Sequence, residues 1–454
     1  MSKVKQSYTC TECGWSAPKW VGRCSQCGAW GSLEEQSAPP ARTAASSPTN
    51  PALPIAQVSA DASRSIPTGV GELDRVLGGG IVPGSVILLA GEPGIGKSTL
   101  ALDVAARAAA TTGRPVLYVT GEESASQVRR RAERIGALQP ELLLAAESDL
   151  GRVLGHMEAA RPALAVVDSV QTLQAAEVDS APGSVTQVRT ATAGIIATAK
   201  ARGLPVILIG HVTKDGAIAG PRVLEHLVDV VCQFEGDRHS RLRMLRAVKN
   251  RYGATDEVGC FDLTDHGILE LPDPSGLFLE ATGQSVPGTC VGISLEGRRP
   301  MPTQVQALVA PSALASPRRT NSGLDSARVA MTLAVLQARA GLKVADKDVY
   351  VSTVGGARAV EPAMDLPIAL AINAAATNAA VDPATVAFGE VGLTGQLRAT
   401  AGIERRLSEA GRLGFTRAII PRQGSDDARI PEGMSALRVD SLLAAIGAAE
   451  SGVM

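Results

Sequence analysis

Aromatic residues are scarce in this chain: Phe, Trp and Tyr together make up 3% of its 454 residues. Its cores must therefore be built mainly from Ala, Val, Leu and Ile, within an apolar fraction of 45%. The net charge is only −1, so any binding to nucleic acid must come from local patches. The sequence has no N-terminal apolar segment and no uncharged run of membrane-spanning length. These absences predict a cytoplasmic protein that does not bind membranes.

Cysteine is also infrequent, and four of the seven cysteines form two Cys-x-x-Cys-Gly knuckles, ten residues apart, near the N-terminus. Four thiolates at this spacing predict one tetrahedral Zn²⁺ site. Disulfides are the alternative, which a cytoplasmic setting disfavours. The predicted zinc ligands are Cys10, Cys13, Cys24 and Cys27.

All three tryptophans of the chain, Trp15, Trp20 and Trp30, lie in or beside these knuckles. We expect at least two of them to form the small core of a finger over residues 1–33, because so short a module has little else to bury. The alternative is a surface on which bases stack. Residues 34–64 are rich in Pro, Ala, Ser and Thr without apolar periodicity, which predicts a flexible linker.

A glycine-rich loop follows an apolar run at 85–90 and precedes an alanine-rich segment, Leu100 to Ala110, that is predicted to be a helix. In this context the pattern G-x-x-x-x-G-K-S predicts a phosphate-binding loop for ATP. Its backbone N–H groups and the helix N-terminus hold phosphate oxygens, Lys97 reaches the β- and γ-phosphates, and Ser98 is placed to ligate Mg²⁺. The predicted nucleotide-binding residues of the loop are Gly91, Glu92, Pro93, Gly94, Ile95, Gly96, Lys97, Ser98 and Thr99.

Strand-like and helix-like segments alternate from residue 65 to about residue 270, which predicts a mostly parallel α/β sheet. Chemistry in such sheets gathers at the carboxyl ends of the strands. Asp168 ends one predicted strand and is expected to bind Mg²⁺ opposite Ser98. Glu122 and Glu123 end another, and Glu122 is the favoured group to activate water, although Glu123 could share or replace it. His211 could sense the γ-phosphate or be structural.

Six basic residues and no acidic one lie between Arg238 and Arg251. A solvated strand face is the usual meaning of such a run. The run ends, however, in a compact cationic turn at 249–253 that contains Lys249 and Arg251. These two cations could complete the phosphate site of a neighbouring subunit, as arginine fingers do, or could contact a nucleic-acid backbone.

Four features occur together along the chain: the zinc knuckles, a Gly71-to-Gly80 lead-in, the phosphate loop and the Lys249-to-Gly253 turn. This combination resembles the bacterial RadA (Sms) family of DNA-repair proteins over nearly the whole chain. The K-N-R-F-G motif of that family falls on 249–253, with Tyr252 in place of Phe. The resemblance implies a RecA-like ATPase that drives branch migration of recombination intermediates, a hexameric ring around single-stranded DNA, and the recombinase RecA as a partner.

From about Leu277 onward the chain resembles the proteolytic domain of Lon, and the stretch 388–398 carries this resemblance. The resemblance places Asp365 at or near the nucleophilic serine and Glu404 at the lysine that would activate it. No lysine occurs after Lys347, and arginine cannot serve as the base. We therefore expect no peptidase dyad, but a domain that forms the ring and contacts DNA. Its candidate phosphate contacts are Arg318, Arg319 and Arg328.

The predicted fold class is α/β: a RecA-like P-loop ATPase core at 65–272, an N-terminal four-Cys zinc ribbon, and an α+β Lon-protease-like domain at 273–454. The predicted function is a DNA-dependent ATPase motor acting on single-stranded and branched DNA. Two alternatives remain at this point: an ATP-gated DNA-binding scaffold, and a clock-type ATPase or phosphotransferase on the same core. A protease is disfavoured because its catalytic groups are missing.

Overall fold

The computed structural model describes residues 7–36, 53–57, 64–211, 221–236, 241–279 and 286–450. The chain divides into two compact units, Met1–Ser59 and Ala60–Met454. Most of the predicted linker lies outside the described residues; Ile55–Gln57 form one turn of 3-10 helix.

The N-terminal unit holds a small antiparallel sheet in which β1 (Ser7–Cys10) lies between β2 (Ser16–Ala17) and β3 (Leu33–Gln36). β3 runs three residues past Leu33, the predicted end of the finger. The buried side chains of this module are Cys10, Ala17, Cys24 and Leu33, with Tyr8 and Trp15 packed against them. Only one of the three tryptophans therefore joins the core.

The expectation of at least two core tryptophans is wrong, because Trp20 and Trp30 are 58% and 77% exposed. Two buried cysteines and one leucine fill the space that indole rings were expected to occupy. The physical reason is that two of the four predicted zinc ligands, Cys10 and Cys24, lie in the interior of the module and leave little room for indole rings.

A nine-stranded sheet forms the centre of the second unit, with strand order β12-β11-β10-β9-β4-β8-β7-β5-β6. Its strands are β4 (Val86–Gly91), β5 (Val116–Thr120), β6 (Leu142–Ala146), β7 (Leu164–Asp168), β8 (Val206–His211), β9 (Val230–Glu235), β10 (Leu242–Asn250), β11 (Val258–Thr264) and β12 (Gly267–Glu270). The helices of this region are α1 (Gly71–Leu77), α2 (Lys97–Thr112), α3 (Ala125–Arg134), α4 (Leu150–Ala160), α5 (Val185–Arg202) and α6 (Pro221–Leu224). The α/β prediction is confirmed, with six parallel strands and an antiparallel extension from β10 to β12.

Both faces of this sheet are covered, which explains why its central strands are almost wholly apolar. On β4, Ile87 and Leu89 pack toward α2, whereas Leu88 and Ala90 pack toward the face covered by α4 and α5. Polar residues at the helix starts can bond to the first backbone N–H groups of a helix. Ser124 and Gln127 form a capping box at the start of α3, so the backbone N–H groups there are satisfied.

The C-terminal region is built on a seven-stranded sheet in the order β15-β16-β14-β13-β17-β20-β21, with a separate two-stranded ribbon, β18-β19. Its strands are β13 (Thr289–Glu296), β14 (Arg299–Pro311), β15 (Arg319–Ser322), β16 (Lys347–Thr353), β17 (Thr385–Ala387), β18 (Glu390–Val391), β19 (Leu397–Arg398), β20 (Arg417–Pro421) and β21 (Ser435–Val439). Its helices are α7 (Ser275–Phe278), α8 (Ser326–Arg339), α9 (Asp365–Thr377), α10 (Ile403–Arg412) and α11 (Leu442–Glu450). Helix α9 is buried along most of its length and is the centre of this core.

A buried ion pair joins the two sheets of the second unit. Glu72 of α1 pairs with Arg299 at the start of β14, and the two side chains are 3% and 6% exposed. The Glu72 carboxylate also accepts the N–H of Cys260 at 2.8 Å, and Arg299 Nη2 donates to the carbonyl of Pro272 at 2.7 Å. Arg246 of β10 adds a second link by pairing with Glu296 of β13. These bonds fix the nucleotide domain against the C-terminal domain.

Candidate nucleotide site and zinc centre

The glycine-rich loop lies between β4 and α2, at the carboxyl edge of the nine-stranded sheet. Gly94 and Gly96 have φ of +79° and +113°, in the region that favours glycine. The loop curls around Lys97, whose Nζ donates to the carbonyl oxygens of Gly91 at 2.8 Å and Glu92 at 2.9 Å. The first turn of α2 directs its free N–H groups at the same place, which suits a phosphate group.

Lys97 is only 3% exposed, and this burial lowers its pKa to about 8. The nearby carboxylates of Asp168 and Glu122 act in the opposite direction and favour the charged amine. The Lys97 amine can exchange its contacts with the loop carbonyl groups for contacts with phosphate oxygens. The conformational cost is small because its surroundings are already polar.

Asp168 ends β7 and is held by the Tyr118 hydroxyl, whose Oη donates to Asp168 Oδ2 at 2.7 Å. The Ser98 hydroxyl also lies near this carboxylate. Burial raises the pKa of Asp168 above its ordinary value. The predicted magnesium pair, Ser98 and Asp168, is thus brought together although β8 separates their strands. A hydroxyl and a carboxylate side by side are oxygen ligands of the kind that Mg²⁺ prefers.

Glu122 follows β5 and lies against the ends of two neighbouring strands. Ser169 Oγ donates to Glu122 Oε1 at 2.5 Å. His211 Nε2 lies 3.4 Å from the same oxygen, a distance typical of an ion pair, without the alignment of a hydrogen bond. His211 and then Ser169 lower the pKa of Glu122 to about 2, against the effect of burial. The carboxylate is therefore ionised at neutral pH.

Glu123 has a different environment from its neighbour. Its Oε1 accepts from Arg131 Nη2 of α3 at 2.6 Å, and its backbone bonds to the Thr120 hydroxyl at 3.1 Å. Glu122 contributes to the electrostatic environment of Lys97, while Glu123 is committed to an ion pair with α3. The two adjacent carboxylates that the sequence could not separate are therefore distinct in the structure.

Tyr118 and Ser169 are site residues that the sequence analysis did not single out. Tyr118 is buried in β5 and lacks any local motif, so only its contact with Asp168 identifies it. Ser169 directly follows the strand-ending aspartate, and the Asp168–Ser169 peptide is cis. Only its position directly after that aspartate could have indicated a site residue, because polar residues at the carboxyl ends of strands face the site.

The cationic turn lies at the opposite edge of the sheet from the phosphate loop. Arg251 Nη1 bonds to Asp229 Oδ1 at 3.0 Å, and Asp229 also accepts the N–H of Val86, the first residue of β4. Lys249 Nζ donates to the carbonyl of Val228 at 2.8 Å. The phosphate loop begins at Gly91, the other end of β4, which is about 16 Å away at ~3.3 Å per residue. These cations and the phosphate loop of the same chain therefore do not form one site.

Four cysteine thiols of the N-terminal unit converge on one point. All four sulfur atoms lie within 4.8 Å of one another, and the closest pairs are Cys13–Cys24 at 3.6 Å and Cys10–Cys27 at 3.7 Å. Tetrahedral thiolate ligands about 2.3 Å from Zn²⁺ would be separated by about 3.8 Å. The arrangement fits a structural zinc ion, and no other cluster of this kind occurs among the described residues.

The presumed serine position of the C-terminal domain holds Asp365, at the start of α9. Its carboxylate is 2% exposed and receives two bonds from Arg328, with Nε donating to Oδ1 at 2.8 Å. Arg328 is thus occupied by an internal ion pair, which argues against its predicted role as a phosphate contact.

Arg319 also bonds within the chain, to the Val344 carbonyl at 2.8 Å. Glu404 accepts the N–H of Arg429 at 3.0 Å and caps a loop.

Models of three known domain families match the chain in the regions described above. The AAA domain matches residues 50–217, the rubredoxin metal binding domain matches 8–35, and subunit ChlI of Mg-chelatase matches 326–424. Fold and site thus define a P-loop ATPase that carries an N-terminal zinc ribbon and a ChlI-like C-terminal domain. The chain binds ATP together with Mg²⁺ at the phosphate loop, and it binds Zn²⁺ through the four cysteines.

Relatives named DNA repair protein RadA match the chain over nearly its whole length. The protein of Mycolicibacterium smegmatis is 53% identical, with 98% of this chain and 97% of the relative covered. That of Pseudomonas aeruginosa is 44% identical, with 99% of each covered, and that of Bacillus subtilis is 42% identical, with 98% and 99% covered. The chain belongs to the RadA family of DNA repair proteins. Among the residues that the structure describes, no helix is both long and apolar enough to cross a bilayer.

Proposed function

We propose that this chain is a DNA-dependent ATPase motor that moves on single-stranded and branched DNA and promotes branch migration during recombination in the cytoplasm. The observation that carries the proposal is the separation of the catalytic groups across the sheet. Lys97 and Glu122 lie at the carboxyl edge of the sheet, whereas Lys249 and Arg251 lie at its amino edge, and the length of β4, about 16 Å, separates the two edges. A site that needs both sets of groups requires a second protomer.

Each residue of the carboxyl edge has a role that follows from its contacts. Lys97 supplies positive charge to the β- and γ-phosphates, and the backbone N–H groups of the loop from Gly91 to Thr99, except at Pro93, hold the phosphate oxygens. Ser98 and Asp168 would hold Mg²⁺, which supplies further charge neutralisation when it is bound. Glu122 orients the attacking water, since a carboxylate with a pKa of about 2 accepts a hydrogen bond well but is a weak base.

The cationic turn would complete the site of the adjacent protomer. Arg251 is 53% exposed, so its guanidinium can leave Asp229 for a phosphate oxygen of a neighbour. Lys200, which pairs with Asp229 at 2.6 Å, stays to neutralise the carboxylate that Arg251 would vacate. A head-to-tail arrangement of this kind closes into a ring, for which we propose six protomers, with the recombinase RecA as a partner.

The C-terminal domain would serve as a ring-forming and DNA-contacting platform and not as a peptidase. The carboxylate at its presumed nucleophile position is bound by Arg328, and no lysine follows Lys347 in the chain. The carboxylate cannot replace a serine nucleophile, and a guanidinium cannot replace the lysine that would deprotonate it. The domain therefore lacks a serine-lysine pair.

The test is the rate of ATP hydrolysis with and without single-stranded DNA over a salt series. A motor of the proposed kind hydrolyses ATP faster on DNA, and the stimulation declines steeply with salt because phosphate contacts release counterions. Lys97→Ala should retain the fold and lose turnover. If Lys97→Ala still extended branched intermediates at the normal rate, the motor would be excluded and an ATP-gated scaffold supported.

A further inference from the structure

Two tryptophan side chains form an exposed ledge on the zinc-binding module. Trp20 and Trp30 are 58% and 77% exposed, and their rings flank Gly22. A side chain carbon at Gly22 would stand 3.8 Å from the Trp20 ring and 3.9 Å from the Trp30 ring. Both rings therefore approach the same glycine, and we call this surface, formed by Trp20, Gly22 and Trp30, the tryptophan ledge.

Backbone and side-chain bonds hold the tryptophan ledge in place. Arg23 and Trp30 form an isolated antiparallel bridge, and the N–H of Gly31 donates to the Gly22 carbonyl at 2.9 Å. Arg23 Nε donates to the Gly28 carbonyl at 3.0 Å, and its guanidinium lies 5.7 Å from the centre of the Trp30 ring. The ledge is thus preorganised by the same loop that carries two of the zinc ligands, Cys24 and Cys27.

The charges beside the ledge favour an anionic, planar partner. Lys19 and Arg23 are exposed next to it, and the stretch from Cys10 to Leu33 carries only one acidic residue, Glu12. Large exposed aromatic rings are expensive in water and commonly mark binding surfaces. Adjacent rings with flanking cations are the combination by which proteins stack unpaired bases and contact the phosphates between them.

We propose that the tryptophan ledge binds single-stranded nucleic acid, with unpaired bases stacked on Trp20 and Trp30 and phosphates beside Lys19 and Arg23. The inference rests on the proposed function in one respect, that the strand concerned is DNA. It adds a DNA contact in the zinc-binding module to the one proposed for the C-terminal domain.

The chain offers a direct readout, because all of its tryptophans lie in this module. Tryptophan emission of the full-length protein therefore reports on the finger alone. Oligo(dT) should quench the emission of Trp20 and Trp30 by stacking, while Trp15, which packs against the finger core, should respond little. The titration is carried out with Lys97→Ala, so that ATP turnover and movement do not contribute.

Trp20→Ala and Trp30→Ala should each weaken oligo(dT) binding about tenfold, as expected for loss of one stacked base. Trp30→Phe should recover part of the affinity, because another aromatic ring can still stack. Leu138→Ala is the matched control: it removes a 50% exposed apolar side chain from the nucleotide domain and should leave the affinity unchanged. Zinc content of one ion per chain confirms that each variant keeps the finger folded.

The outcomes separate this inference from the proposed function. Quenching without DNA stimulation of ATP hydrolysis would support the ledge and contradict the motor. DNA stimulation of the unsubstituted protein without quenching in the Lys97→Ala titration would support the motor and overturn the ledge. A change of emission that appears only with a protein such as RecA, and not with oligo(dT), would also overturn it, since the ledge would then be a protein-docking surface.

Discussion

Two neighbouring glutamates show how strongly the environment of a residue decides its chemistry. Glu122 and Glu123 have the same side chain and adjacent positions after β5, yet one faces Ser169 and His211 and the other faces Arg131. The charge of Glu123 is already matched by a guanidinium 2.6 Å away. Glu122 is ionised and next to the phosphate loop, which is where a water-orienting group is required.

We predict that Glu122→Gln lowers the rate of ATP hydrolysis by about 100-fold or more while ATP still binds, since a lost acid-base or water-orienting group typically costs 10²–10⁴-fold. Glu123→Gln should retain most of the turnover and mainly lower stability, because it leaves Arg131 without its carboxylate. Steady-state hydrolysis and nucleotide binding measured on both variants give the comparison. A larger loss of turnover in Glu123→Gln would reverse the assignment.

The pH dependence provides a separate check on Glu122. Its pKa is lowered to about 2, so the carboxylate remains charged throughout the range in which the protein can be assayed. Protonation of Glu122 should therefore not limit hydrolysis between about pH 5 and pH 8. A rate that titrates away near the ordinary pKa of a glutamate would contradict the contacts with His211 and Ser169.

Among the secondary structure elements, the central strands were predictable because they are short apolar runs that end in polar residues. The apolar run at 85–90 forms β4, the strand predicted to end at Asp168 is β7, and the strand predicted before the glutamate pair is β5. The basic run at 238–251 was expected to form a solvated strand face, and most of it is β10, but its cations are not all solvated. The short strands β11 and β12 were not singled out. Arg243 is 7% exposed inside β10, and Arg246 is held by Glu235 and Glu296.

Long-range partners could not be predicted from local patterns. Glu72 and Arg299 are 227 residues apart in the chain, and nothing near either residue in the sequence indicates that they meet. The same holds for Tyr118 and Asp168, which only the order of the strands brings together. The phosphate loop and the zinc knuckles were predictable because each is a local motif whose spacing alone determines its geometry.

The interdomain ion pair predicts a large effect of substituting a residue far from the nucleotide. Glu72→Ala should lower the free energy of unfolding by about 3 to 5 kcal/mol, because it leaves Arg299 buried without a counter-charge. Glu133→Ala is the control: it breaks the exposed pair with Arg129 and should cost less than about 1 kcal/mol. Urea unfolding followed by circular dichroism measures both. Equal losses in the two variants would show that the buried pair does not hold the domains together.

At the scale of the whole molecule, the position of the cationic turn is the basis of the proposed site between two protomers. β4 separates Arg251 and Lys249 from the phosphate loop of their own chain, so a site that uses them must be built from two protomers. Rings assembled head to tail repeat the same contact around a closed circle. In the ring that we propose, each protomer would contribute the phosphate loop to one site and the cations to the next.

Mixing two inactive variants tests this arrangement. Lys249→Ala lacks a cation at the amino edge and Glu122→Gln lacks the carboxylate at the other, so each protein alone should hydrolyse ATP at less than about one-hundredth of the normal rate. In mixed rings some interfaces pair the intact phosphate loop of the first variant with the intact cations of the second. About one interface in four should therefore be complete at equal concentrations, and hydrolysis should rise accordingly. Mixtures that stay as inactive as the separate variants would mean that every site is self-contained, in which case the cationic turn has another task.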